Sequence, residues 1–347
     1  MKQGFFIWIP AATIRMLRIL MPRVLVQGIL MLGVLAACSC STETALQQLM
    51  ASSAASPVFQ GCKAVAGGDI QFYFSTPVKV LSMYFEPPLE TELLGAGETL
   101  TLRIKTELPG GEKVTADLLV EDEKGNTLNV LFPFRTRNTR PPDLVINEIR
   151  TDYSNSGGKL RAEFIEIKAL SSGSLGALRL FAAFEKGGEP LWEFPPAEVK
   201  AGEYIVLHTR NREGGVNETD GRLAASGGAD AAPDARDFWT DREVKLHSVN
   251  AFYLMDQDDR ILEGVLIHDS TLSSKDSAAR DNVERAAENM RAQGAWNGDP
   301  VNADKTTATA TICRDETKAD TNGAADWYVT ASSSATPGKT NSEKRAK

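Results

Sequence analysis

The chain has 347 residues and a formal net charge of −8, long enough for about two ordinary domains, and its composition is that of a globular protein, which excludes wholesale disorder. Residues 1–37 carry Lys2, Arg15, Arg18 and Arg23 and no acid, so the remainder stands at −12. An acidic body of this kind repels phosphate backbones and anionic lipid surfaces, which argues against nucleic-acid binding and against adhesion through a basic patch.

Membrane attachment therefore rests on the amino terminus. Arg15, Arg18 and Arg23 precede an apolar run from Val24 to Ala37, too short to span a bilayer comfortably but suited to a signal-peptide core. It ends in Leu35-Ala36-Ala37-Cys38. That ending resembles the bacterial lipobox, where signal peptidase II cuts before a cysteine that already carries a diacylglyceryl group. The resemblance implies a signal peptide over 1–37, export through Sec, and lipidation of Cys38 with fatty acids such as palmitate. The product would be a lipoprotein of the bacterial cell envelope, on the periplasmic face or the outer surface. Two or three acyl chains hold a protein stably where one does not. A second apolar cluster, Phe5–Ile9, lies upstream of the arginines, and Met16 and Met21 each offer a more typical start than Met1.

Residues 38–57 follow as a Ser/Thr/Ala-rich tether that includes Cys40. A first module, 58–137, alternates short β-prone runs with turn signals: Ile70–Phe74, Val78–Phe85, Thr99–Thr106, Val114–Glu121 and Leu128–Phe134. Pro109–Gly111 and Lys124–Asn126 read as hairpin turns. The stretch Ala116–Asn126, followed by Phe132-Pro133-Phe134-Arg135-Thr136, resembles the closing hairpin of bacterial Ig-like domains. Residues 138–143, with Pro141-Pro142, form a stiff linker that cannot continue a sheet.

The second module, 144–341, contains Leu144-Val145-Ile146-Asn147-Glu148-Ile149, Glu163-Phe164-Ile165-Glu166-Ile167, Ala201–Leu207 and Ala251–Asp256, and later Asp326-Trp327 and Thr336-Pro337-Gly338-Lys339-Thr340-Asn341. This order resembles the lamin-tail domain, an Ig-like β-sandwich, with a departure at Asp259-Arg260 where the family often has Asp-Gly. The fold class expected is thus all-β: two Ig-like β-sandwiches in tandem, with a short tail at 342–347. Two insertions interrupt the second. Residues 211–237, rich in Gly, Ala and Asp, read as a mobile loop. Residues 274–294 read as one helix, with Asp276 as its cap and Gly294 as its stop.

Chemistry is sparse in the pattern. His208, His247 and His268 have no second ligand at metal spacing, and they read as strand-end histidines. Glu148 and Glu166 are placed to face each other across neighbouring strands, where like charges need a cation or a proton; Glu163 points to the other face. Asp256, Asp258 and Asp259 are weak calcium candidates, because Ile261 and Ile267 stand where an EF-hand needs Gly and Glu. Cys62 and Cys313 are candidates for a bridge, which geometry decides. Trp239 and Trp296 flank the insertions and are candidates for a binding surface, while Trp327 reads as core. There is no Walker loop, GxSxG or GxGxxG in a strand-to-helix setting. Catalytic residues and cofactors are therefore assigned as none. The function expected is a non-enzymatic envelope protein that presents sandwich loops to a protein or glycan. The alternative is an envelope hydrolase, or an accessory module of one, built on the histidines and acids of the second module.

Overall fold

A computed structural model describes residues 56–65, 68–186, 188–211, 214–272 and 277–347. The signal peptide, Cys38, Cys40, most of the tether and Asp276 lie outside these residues. The fold is all-β.

In the first module β1 (Phe59–Ala64), β2 (Asp69–Glu86), β3 (Thr91–Gly95), β4 (Gly97–Ile104), β5 (Lys113–Asp122) and β6 (Thr127–Arg135) form one sheet. β2 joins the two expected strands into one. Its first half pairs with β1 and β4, and its second half, after Val78, pairs with β5. The sheet therefore wraps over itself and closes on its own core. Strict alternation drives this: Val114, Ala116, Leu118 and Val120 of β5 are all fully buried on one face, as a period of two requires. They pack with Phe72, Leu100 and Leu102. The β5–β6 turn is tied by Asp122, whose carboxylate accepts from Lys124 N at 2.9 Å and Asn126 N at 2.8 Å, an Asx arrangement.

The second module begins with β7 (Leu144–Arg150), the small hairpin β8 (Ser154–Ser156) and β9 (Lys159–Arg161), then β10 (Phe164–Ala169) and β11 (Gly173–Ser174). It continues with β12 (Arg179–Ala182), the short helix α1 (Ala183–Lys186), β13 (Trp192–Glu193), β14 (Glu198–Val199), β15 (Tyr204–His208) and β16 (Arg236–Trp239). After β17 (Asn250–Met255) and β18 (Ile261–His268) come the helix α2 (Ser277–Ala292), β19 (Val301–Asn302), β20 (Ile312–Arg314) and β21 (Trp327–Val329). One sheet runs β16-β15-β10-β7-β20-β21 and the other β13-β12-β17-β18-β19. Ile146, Ile149, Ile165, Ile167, Ile205 and Leu207 of the first share one core with Leu180, Phe252, Leu254 and Val265 of the second. α2 turns Ala279, Val283, Ala287 and Met290 inward and packs on β17 and β18. It stops at Gly294, whose φ is +76°, with Ala295 N returning to Met290 O at 2.8 Å, a helix end that glycine favours.

The linker does more than stiffen. The Asn138 amide donates to Ser174 O at 2.8 Å and Gly176 O at 2.9 Å. Asn138 N donates to Gln257 Oε1 at 2.7 Å, and Gln257 Nε2 to Thr136 O at 3.0 Å. Arg137 grips Asp258 with two hydrogen bonds. At the contact itself, a Cβ on Gly176 would lie 1.9 Å from Gly110 O. Gly176→Ala is therefore expected to prise the modules apart while each sandwich stays folded. Small-angle scattering checks this: the radius of gyration should rise with little change in circular dichroism, and an unchanged scattering curve would refute it.

Candidate functional site

The outer face of the β16-β15-β10-β7-β20-β21 sheet is where the ionisable side chains gather. β7 and β10 are buried on both faces, and Glu148, Glu163 and Glu166 are each fully buried. Glu148 stands directly opposite Glu166, and the register then shifts so that Asn147 is the extra residue of a bulge. A bulge re-aims a side chain, and here Asn147 Nδ2 donates to Glu166 Oε1 at 2.8 Å and to Glu316 Oε1 at 3.3 Å. The Thr336–Asn341 segment roofs these acids with its main chain. Thr336 N donates to Glu148 Oε2 at 3.1 Å, Gly338 N to Glu166 Oε2 at 2.5 Å and Asn341 N to Glu316 Oε1 at 2.8 Å. Thr311 Oγ1 adds a 2.5 Å bond to Glu148. Burial pushes the Glu148 carboxyl up. Burial, with the neighbouring Glu148 charge, pushes Glu166 well above the ordinary carboxylate range. Glu163 instead pairs with Arg210 at 2.6 and 2.8 Å.

The second cluster belongs to His208. It is 2% exposed, with Nε2 2.8 Å from Asp237 Oδ1 and Nδ1 3.1 Å from Asp230 Oδ2. Burial alone would lower its pKa, but the two carboxylates outweigh that and raise it. Its ring stacks on Trp239, centroids 4.5 Å apart. The expectation of a mobile loop over 211–237 is corrected here. Glu218, Ser226, Ala232, Ala235, Arg236 and Asp237 are all buried. Glu218 accepts from Ser226 N and Asp237 N at 2.9 and 3.0 Å, and Ala232 N donates to Asp237 Oδ2 at 2.9 Å. The segment is a second roof, held mainly by polar contacts, so its lack of apolar residues was misleading. Gly215 and Gly228 lie against the Trp239 indole, where a Cβ would come within 2.4 and 2.6 Å of it.

Three further expectations are corrected. Trp239 and Trp296 are 3% and 0% exposed, so neither offers a binding surface; each fills space beneath its own insertion. Cys62 and Cys313 are free thiols: one lies on β1 of the first module, the other on β20 of the second, fully buried beside Thr311. Burial pushes the Cys62 thiol up to about 12 and raises that of Cys313 as well. Among the described residues no three His, Cys, Asp or Glu side chains form a metal-binding group. In place of calcium, Asp258 takes Arg137 and Asp259 takes Arg179 at 2.8 Å. Asp256 closes the turn by accepting from Asp258 N and Arg260 N. Asp259 adopts φ +60°, a left-handed conformation that Asp tolerates.

The histidines do not converge. His247 packs on Phe184 with ring centroids 4.1 Å apart, and His268 is exposed at the end of β18. A cleft of about 1210 Å³ lies instead at the junction of the modules, with walls that include Glu107, Arg137, Arg140, Glu198, Lys200 and Asp220. Both signs of charge face it, and Arg140 spans part of its wall to Glu198 at 2.7 Å. Nothing in the sequence marks it, because its residues come from the Pro109–Gly110 turn, the linker, the stretches 196–203 and 219–223, and the strand residues Ser174 and Arg236.

A protein described as "Uncharacterized protein" from Treponema pallidum (strain Nichols) is 29% identical over 192 residues, which is 54% of this chain and 48% of that protein. The chain thus spans about half the length of the curated relative it matches. The structure of a DUF4876 family protein from Bacteroides thetaiotaomicron aligns with a TM-score of 0.32 and 13% identity, over 73% of this chain and 90% of that one. The N-terminal part of the bacterial S-layer protein SbsC aligns with a TM-score of 0.24 and 17% identity, over 48% and 44%. The family model described as "TP_1001_2nd: protein second domain" matches residues 142–329. Since that match takes in more than half of the sequence, the chain belongs to the bacterial TP_1001 protein second-domain family.

Proposed function

We propose that the chain is a lipid-anchored protein of the bacterial cell envelope that binds a protein or glycan partner without catalysing a reaction. The binding surface is the cleft between its modules. The observation that carries this reading is the cleft of about 1210 Å³ at a junction fixed by Asn138, Gln257 and Arg137. Ligand sites favour such inter-domain clefts, and a fixed junction spares a partner the cost of ordering it. The Leu35–Cys38 lipobox supplies the anchor, and the bacterial Ig-like and lamin-tail resemblances agree with a scaffold whose loops bind. A hydrolase needs an acid or base in contact with substrate. Glu148, Glu166 and His208 all lie beneath roofing segments, which favours the binding reading.

Metabolic labelling with palmitate tests the anchor. Wild-type protein is expected to incorporate label and Cys38→Ala to lose it; unlabelled wild type sinks the lipoprotein reading. A photoreactive residue at Thr139 or Leu223, facing the cleft, tests the binding surface in living cells. It should give discrete adducts that the same probe at Glu123, on the far hairpin, does not. Absence of adducts from both cleft positions overturns the binding assignment.

A further inference from the structure

Two sheet edges of the first module border a second groove. Among the described residues β1 pairs only with β2 and β6 only with β5, so the outer edge of each is free of ladder hydrogen bonds, although the two strands draw close where the Phe59 and Phe132 rings meet, centroids 5.0 Å apart. A groove of about 490 Å³ lies along them, closed by Ala177, Arg179 and Gln257 of the second module. Lys63, Lys113, Arg135 and Arg179 line it with a single carboxylate, Glu193, in a chain whose net charge is −8. Arg135 pairs with Glu193 at 2.5 Å and Arg179 with Asp259 at 2.8 Å. The Lys63 side chain is 57% exposed and comes only within 3.9 Å of Asp258; Lys113, at the start of β5, is exposed. The basic surplus of the groove is therefore carried by the two lysines.

We propose that this groove binds an extended acidic peptide, laid along the free edge of β1 with its carboxylates on Lys63 and Lys113. Edge pairing supplies affinity through main-chain hydrogen bonds, and side-chain contacts supply the choice of sequence. β1 is the accepting edge because Pro133 interrupts β6, and proline guards an edge by removing a donor. Phe132 and Pro133 give the groove an apolar wall. A compact anion would satisfy the lysines but leave that wall and the strand edge unused, which favours a peptide. The site is separate from the larger cleft and does not depend on the anchor.

The test is fluorescence anisotropy with the full chain in detergent and a labelled eight-residue peptide of alternating glutamate and valine. Binding is expected, and the matching lysine–valine peptide should bind at least about tenfold more weakly. Lys63→Glu with Lys113→Glu should weaken binding by about tenfold or more, while Lys159→Glu, exposed on β9 and lining neither opening, should leave it unchanged. Both lysines are exposed, so the folded state is retained, which circular dichroism checks. Methylating alternate backbone nitrogens of the peptide should abolish binding. The proposal is overturned if the acidic peptide fails to bind, if the lysine or N-methylated peptide binds equally well, or if millimolar inorganic phosphate displaces the probe, which marks a simple anion site.

Discussion

His208→Ala is expected to destabilise the protein by about 3–5 kcal/mol, the range for breaking one side of a buried ion pair, and to free the 214–235 roof for cleavage. Asp237 is fully buried and Asp230 largely so. Removing the imidazole leaves both facing each other's charge with no cation between them, and it also deletes the ring on which Trp239 stacks. Asp237 keeps its bond from Ala232 N, so the loss falls chiefly on the contact between the strand and the roof. Trypsin reports it: Arg222 is exposed within that roof but sits on a segment anchored on both sides by Glu218, Ser226 and Ala232. Faster cutting after Arg222, with a lower urea midpoint, is the expected pair of results. His208→Gln, which can still donate to one carboxylate, should fall between. An unchanged midpoint together with an unchanged cleavage rate would remove the clasp from the account.

The legible parts of the fold were those written in local periodicity. Val114, Ala116, Leu118 and Val120 announce β5 by alternation. Ala279, Val283, Ala287 and Met290, ending at Gly294, announce α2. The Lys124–Asn126 turn is plain from its residues. β2 reads as two strands, Ile70–Phe74 and Val78–Phe85, whereas one strand runs through both and changes partners between Tyr73 and Val78. β1 and β3 were missed, since neither short strand alternates clearly. The largest gap concerned the second module's outer face. The facing of Glu148 and Glu166 across neighbouring strands is legible and the register bears it out. Their burial is not, because Thr336 and Gly338 reach them from 188 and 172 residues away. The burial of His208, read as a strand-end histidine, depends likewise on Asp230 and Asp237 of a segment that reads as loose. No window on the sequence spans such a contact. The signal that was available lay in the glycines: Gly215 and Gly228, in a segment read as loose, are the residues that let an indole pack closely. The inter-module cleft is illegible for the same reason, being assembled from pieces of chain far apart in sequence.

The roofed acids also set how stability should vary with pH. Glu148 and Glu166 are raised by burial, and Glu185 is pushed by burial from the ordinary 4.5 to about 7, despite accepting from His247 N and Asn250 Nδ2. For a carboxyl raised in the folded state, the unfolded chain gives up its proton first as pH rises. Its stabilising contribution is whole below about 4.5 and is lost through the folded pKa. His208 works in the same direction: its pKa is raised above 6.5, so its contribution is present below that value and is lost above the folded one. On the acid side, Lys168 lowers Glu316 against its burial, and Thr317 and Arg345 hold Asp315 at about 2; these contributions disappear as pH falls below about 4. The unfolding free energy should therefore peak near pH 5 and decline by several kcal/mol toward pH 9, each tenfold change in proton affinity being worth about 1.36 kcal/mol. Glu166→Gln separates this cause from others. It loses an acceptor for Gly338 N or Asn147 Nδ2, so it should be less stable than wild type at pH 5. It carries no charge to desolvate at pH 9, where it should equal or exceed wild type. Urea titrations of both proteins at the two pH values decide the matter: a difference between them that stays constant with pH would mean that Glu166 is not ionising in its buried place.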